Sequence, residues 1–290
     1  MSKRPSVKKA VFMAGVLLCA APIVSAQTIG LKLTGGGGYA LGGDLAKGLQ
    51  GQSDYLKAAF AAADAYKFPK TGWTGTGEIL FYLGPNFAVG IGAGYEQHVQ
   101  ESAVSYSIEG IDVKETVKPA FNVIPVLGSL HLFFPVGSAV KIDFWLGGGA
   151  YLTQLKWNSS YVIGILGLSG TDAYTFSSRR TGYGAQAGLG LELALSSKLA
   201  LVLNVAGRYA QVSGFIGDWT ETGTGDFWSF TDGGSDHAVY YYDWTSAGAT
   251  YPQIEFRPDK PSGAGLANVR EAKLDLSGVT ATIGFKINLF

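Results

Sequence analysis

Five side chains that fall close together carry the types that acyl transfer uses: Glu96, His98, Glu101, Ser102 and Ser105. A serine becomes a nucleophile when a histidine accepts its proton and a carboxylate orients that histidine. The spacing here matches no hydrolase motif, so the parts of such a site are present without its arrangement. Metal chemistry has weaker support. His98, His131 and His237 lie far apart without cysteine partners, which is not zinc-type spacing. Asp226, Asp232 and Asp236 miss the alternate-ligand pattern of a calcium loop. Gly90, Gly92 and Gly94, like the run Gly35 to Gly38, precede no helix whose amino end could hold a phosphate. The expectation is therefore no catalytic, cofactor or metal site, and no enzyme.

Recognition chemistry is better represented. The segment 213–272 holds Trp219, Phe227, Trp228, Phe230, Tyr240, Tyr241, Tyr242, Trp244 and Tyr251 among acidic residues. Rings with a polar tip are enriched where proteins meet ligands, and the same rings stabilise a fold when buried. Residues 226–231 and 237–244 around Asp232-Gly233-Gly234-Ser235 read as a hairpin. In segment 41–70, alanine-rich residues from Ser53 to Tyr66 read as a short helix, capped at Ser53 or Asp54 and stopped before Pro69. Tyr55, Ala59, Ala62 and Tyr66 would share one face, with Leu56, Phe60 and Ala63 beside it. Such a helix packs on a rim or gates a mouth.

The elements that position these segments are strands. Apolar residues alternate with small or polar ones, with period two, over eight stretches: 28–40, 71–83, 87–99, 120–134, 139–153, 180–195, 199–212 and 273–290. That is the pattern of strands with unlike faces. Three connections are tight turns, at Gly84-Pro85-Asn86, at 135–138 and at Ser196-Ser197-Lys198. The other four, 41–70, 100–119, 154–179 and 213–272, are long. Tyr39, Trp73, Tyr95, Tyr183 and Tyr209 fall near one end of their strands, and Phe81, Phe87, Phe134 and Phe285 near the other. Phe87 and Tyr95, eight residues apart, span roughly 20 Å of height at a tilt of ~40°, close to an apolar band of about 25 Å between aromatic girdles. The opposite faces carry Lys32, Glu78, Glu96, Lys141, Asp143, Arg180, Glu192, Arg208 and Lys286, with His131. Unpaired charges there are costly, so they should form ion pairs. Inward glycines, among them Gly90, Gly92, Gly94, Gly147, Gly149, Gly188 and Gly190, could leave room for water.

The chain begins as an exported one. Lys3, Arg4, Lys8 and Lys9 precede an apolar run from Ala10 to Val24, and Val24-Ser25-Ala26 supplies small residues for cleavage after Ala26. The run is short of the about 20 apolar residues of a spanning helix. Cys19 follows Leu18, where lipid attachment calls for a small residue, so no lipidation is expected. Without residues 1–26 the chain keeps 18 Lys and Arg against 22 Asp and Glu, a net charge of −4, and has no cysteine. Nucleic acid is an improbable partner for such a surface, and disulfides and thiol chemistry are excluded. The mature part, 27–290, reads as one β domain.

These strands resemble those of the eight-stranded outer-membrane β-barrel proteins, the group of the OmpA membrane domain, OmpX and OmpW. The most specific piece is the end, where Thr282, Gly284, Ile287 and Leu289 look like the signal read by the barrel-assembly machinery; Phe290 falls out of phase with that row. The resemblance implies a transmembrane antiparallel barrel of eight strands, with a short helix in the first external loop and both termini in the periplasm. It implies insertion with periplasmic chaperones into a Gram-negative-type outer membrane, among lipid and lipopolysaccharide, as a monomer. It implies a structural or surface-interaction role with a side-chain-filled lumen and a ligand at the loops. The alternatives are a narrow, porin-like channel for small solutes, as in OmpW, and a lipid-modifying enzyme with Ser and His at the rim.

Overall fold

Period-two alternation produces long antiparallel strands, and their pairing closes into a ring. The computed structural model describes residues 28–62, 64–165 and 167–289, so the export segment 1–26, Ala63 and Phe290 lie outside the described residues. In chain order the elements are β1 (Thr28–Ala40), α1 (Gly43–Phe60), β2 (Thr71–Gly84), β3 (Phe87–Val99), β4 (Ser102–Ile108), β5 (Ile111–Val136), β6 (Val140–Ile165) and β7 (Leu168–Ala194). They continue with β8 (Leu199–Ser213), β9 (Ile216–Gly225), β10 (Phe230–Ser246), β11 (Ala249–Arg257), β12 (Leu266–Glu271), β13 (Lys273–Asp275) and β14 (Gly278–Asn288). Eight of them form the ring β1-β2-β3-β5-β6-β7-β8-β14, and β14 returns to pair with β1 from Ala40↔Gly278 to Gly30↔Asn288. Closure leaves no unpaired edge around the ring.

The expected eight strands are thus a ring within a fourteen-strand fold among the described residues. The segments expected as loops, 100–119, 154–179 and 213–272, are largely strand. β5, β6 and β7 run 26, 26 and 27 residues, against the about 9–11 that cross a bilayer. The inward row of β5 stays buried from Val113 through Val117, Phe121 and Val123 to Phe133, with Leu127 alone partly exposed. Only its outward row changes, from Asp112, Lys114 and Lys118 to Ile124, Val126, Leu130, Leu132 and Phe134. That switch marks the edge of an apolar belt. Polar outward residues beyond the belt masked the strand in the sequence, although the backbone keeps pairing.

The belt carries the exposed apolar residues of the fold. Leu33, Ile79, Ile91, Leu146, Leu189, Val205 and Ile283 all face outward and are exposed. Tyr39, Trp73, Tyr183 and Tyr209 border it at one end, Phe134 and Phe285 at the other. The last expected strand, 273–290, divides into β13 and β14. Its outward row of Phe285, Ile287 and Leu289 continues the belt.

At the long-loop end the extended strands curve over a second core, which we term the cap. β9 pairs with β7, β10 with β9, β11 and β12, and β4 with β5. α1 lies inside this sheet against β11 and β13. It starts ten residues before Ser53, after Gly42 in the left-handed region, and ends at Phe60, capped by Ala61, rather than at Tyr66. Gly48 and Gly51 explain the shift. A methyl on Gly51 would lie 2.0 Å from the Pro252 carbonyl oxygen, and one on Gly48 2.3 Å from the Ile254 side chain. Two glycines that weaken a helix in isolation are what let this one touch a strand. Ser53 is internal: its hydroxyl donates to the Leu49 carbonyl and accepts from the Tyr66 amide. The expected turn at 232–235 lies within β10. The turns that form are Asp226–Ser229 and Ala247-Gly248, the latter with both residues at positive φ (50° and 82°), as a two-residue hairpin turn requires.

Candidate functional site

Alternation sends a set of ionisable side chains from all eight ring strands into the barrel. Lys32 on β1 stands opposite Glu78 on β2, with Nζ 2.9 Å from one Glu78 oxygen and 3.6 Å from Asp143 on β6. His131 on β5 bridges the same carboxylates: Nδ1 is 3.0 Å from Asp143 and Nε2 is 3.1 Å from Glu78. Lys286 on β14 pairs with Glu192 on β7, and its ammonium lies 5.0 Å and 5.6 Å from the rings of Phe133 and Tyr82. Toward the cap, Arg208 on β8 reaches Glu96 on β3 at 2.6 Å and donates through Nε to the Leu276 carbonyl at 2.8 Å. Like charges on neighbouring strands are tolerated because each cation meets a carboxylate. Of the expected inward charges, Lys141 and Arg180 are exposed, and Arg180 bonds the Gly214 carbonyl.

Sequence neighbourhood misplaced the Ser-His pairing. His98 is buried and stacks on Phe121 at 4.4 Å, whereas Ser102 accepts from the Lys67 amide in the cap and Ser105 is exposed. Glu101 pairs with Lys118 on the surface. The residues that meet in triad order are Ser129, His131 and Asp143, with Ser129 Oγ 3.0 Å from His131 Nε2. Parity along β5 and β6 could have found them, since all three are inward. Yet the Ser129 hydroxyl donates to Glu78 at 2.5 Å, and Ser129 is 6% exposed and His131 0%. A substrate carbonyl has no approach to that oxygen without displacing Glu78, so this arrangement fixes charge.

The inward glycines do not leave the expected gaps, because larger side chains of adjacent strands occupy them. A methyl on Gly90 would lie 2.2 Å from Ser129 Oγ, one on Gly188 2.7 Å from the Trp145 ring, and one on Gly190 2.7 Å from Asn204. Small residues on one strand make room for long ones on the next.

The cap contains an open cleft of about 350 Å³. Gln52, Tyr55 and Leu56 line it from one face of α1, Glu115 from β5, Tyr161 from β6, and Tyr242, Trp244 and Gln253 from β10 and β11. Tyr106 and Leu266 complete the wall. Tyr55 meets Trp244 edge-on at 4.8 Å. Glu115 is 3% exposed and accepts from the hydroxyls of Tyr66 and Tyr161. Burial raises its carboxyl above the usual carboxylate range, and the tyrosine hydrogen bonds only partly oppose that. Burial, then the nearby Glu255, pushes the Tyr242 phenol up to about 12. The Tyr242 phenol therefore holds its proton at neutral pH and stays a hydrogen-bond donor. Gln253 Nε2 is buried without a hydrogen-bond partner among the described residues. The remaining loop aromatics divide: Tyr241 is buried under Arg270 at 4.2 Å and Trp219 stacks on His237 at 4.0 Å, whereas Phe227 and Phe230 are exposed. Among the described residues no three His, Cys, Asp or Glu side chains are grouped to hold a metal ion.

No protein-family model matches the chain, and no curated protein matches it. Solved structures similar to it include the outer membrane protease OmpT of Escherichia coli, at 8% identity and TM-score 0.29, with 91% of this chain and 98% of that one covered. A FadL homologue from Pseudomonas aeruginosa aligns at 8% identity and TM-score 0.19 over 93% of each chain. The RagAB peptide importer aligns at 10% identity and TM-score 0.18 over 89% of this chain and 40% of that one. The expectation that the chain is not an enzyme is corrected here: the first of these structures is a protease, so the comparison gives no ground for excluding catalysis, and at that TM-score it assigns no activity either. What the fold shows by itself is a β-barrel with an eight-strand ring and an outward apolar belt.

Proposed function

We propose that the protein is an integral outer-membrane barrel of the small eight-stranded group to which OmpA, OmpX and OmpW belong, with a sealed lumen and its working surface in the cap. The observation that carries this reading is the lumen itself. Lys32, Lys286 and Arg208 each meet a carboxylate directly and are at most 8% exposed. A ring of eight strands encloses only enough space for its own side chains, and α1 packs in the cap against β11 and β13. The apolar belt with aromatic borders supports residence in a bilayer, and the apolar run and small residues of 1–26 support export. On this reading the short turns face the periplasm, the cap faces outward, and Thr282, Gly284, Ile287 and Leu289 serve barrel assembly. The cap then contacts external molecules or supports the envelope from outside. Liposomes loaded with the refolded mature chain, residues 27–290, should swell no faster in small neutral solutes than empty liposomes. Rapid swelling would return the function to the narrow-channel alternative.

A further inference from the structure

Three features of the cap cleft bear on what it binds. The first is charge: its lining has no lysine, arginine or histidine, and its one carboxyl, Glu115, is buried with tyrosine partners. An anionic ligand such as a phosphate or carboxylate would find no counter-charge. The second is ring chemistry: Tyr55, Tyr106, Tyr161, Tyr242 and Trp244 supply π-faces together with phenol hydroxyls, so the wall is apolar and hydrogen-bonding at once. A purely hydrocarbon ligand would leave the Gln253 amide unpaired, which costs affinity. The third is the amide pair Gln52 and Gln253, of which Gln253 Nε2 is buried without a partner. A buried donor that the fold leaves unsatisfied is a place for a ligand oxygen. A volume of about 350 Å³ lies at the small end of ligand pockets, which run about 300–1,000 Å³.

We propose that this cleft binds a neutral sugar, one face of its ring against Trp244 and Tyr55 and its hydroxyls on the amides of Gln52 and Gln253. A pyranose presents C–H groups on its faces and hydroxyls on its rim, which matches a wall of rings edged by amides. The inference rests on the reading that the cap faces outward, where sugars occur free in solution and as surface polysaccharide. Both sources present the same ring.

The test is saturation-transfer NMR on the refolded mature chain in zwitterionic micelles, since glycoside detergents would compete. The probes are methyl glucoside, methyl galactoside, methyl mannoside, N-acetylglucosamine, maltose, lactose and dextran, with the peptide Gly-Tyr-Gly as an aromatic control. At least one sugar should show transfer, and Gln253→Ala and Trp244→Ala should each weaken it about tenfold or more. Gln253→Ala removes a donor with no partner in the fold, so it is expected to stay folded even if Trp244→Ala fails to fold. Transfer to a free disaccharide would place the natural source in solution, and transfer to dextran alone would place it on a polymer. No transfer to any sugar, transfer to the peptide alone, or equal binding by folded Gln253→Ala would overturn the proposal. Liposome swelling on the same preparation separates the two claims: a sealed barrel that ignores sugars sinks only this one, and a leaky barrel that binds them sinks only the sealed lumen.

Discussion

Glu78 is the residue on which the lumen turns, because it is shared by Lys32, His131 and Ser129. Removing one partner of a buried charge network leaves the others uncompensated, which typically costs about 3–5 kcal/mol. Glu78→Ala should therefore lower the urea midpoint of the refolded barrel, read by heat-shifted gel mobility. Lys32→Met combined with Glu78→Leu should recover much of that loss, since an apolar pair leaves fewer orphaned charges. A double variant as unstable as the single one would mean that shape, and not charge, holds the lumen. Glu115 gives a pH prediction of its own. Its raised proton affinity in the fold means that the native state binds more protons than the unfolded chain above the ordinary carboxylate range. Stability from this group is full below that range and is lost as pH rises through the raised value. Protease cleavage of the cap should accelerate as pH rises above the ordinary carboxylate range, and Glu115→Gln should flatten the change. At this scale the sequence was informative wherever parity applied: Lys32, Glu78, His131, Asp143 and Glu192 were legible as inward. Glu115 was not, because it lies on a strand extension whose outward polar residues read as loop.

Among the elements, α1 shows what one-dimensional propensity misses. Ala58 to Ala65 look helical and Gly43 to Gly51 do not, yet the helix occupies Gly43–Phe60, because the glycines allow contact with β11. Gly51→Ala would place a methyl 2.0 Å from the Pro252 carbonyl, and overpacking of this sort costs roughly 1–3 kcal/mol. The expected result is faster amide exchange in α1 and β11 with the heat-shifted mobility of the ring intact. Unchanged exchange would show that the helix is not seated by that contact. The strands divide in the same way. The ring portions were legible from alternation and short turns, within a few residues at each end. The extensions of β5, β6 and β7 were not, since their outward rows turn polar beyond the belt. Gly233-Gly234 resembled a turn but is a close-approach site inside β10, where a methyl on Gly234 would lie 2.9 Å from the Trp219 indole nitrogen.

Taken whole, the molecule has two cores stacked along one axis. Paired charges fill the ring between the aromatic borders, and an apolar core fills the cap, with Tyr151 and Phe121 at the join and Arg208 5.5 Å from the Tyr151 ring. The ring needs polar filling because its outward faces are the ones given to apolar residues, and the cap needs an apolar core because its outer face is polar. Both follow from period-two alternation with the solvent exchanged. The measurement that tests this account most directly is single-channel conductance of the mature chain in a planar bilayer, with heat-shifted mobility confirming that the inserted protein is folded. The account predicts no steps above the bare bilayer for the intact chain, with steps emerging only when Glu96→Ala and Glu192→Ala together break the paired lumen. Steady conductance from the intact chain, unchanged by deleting residues 43–60, would contradict it and make the lumen the functional site.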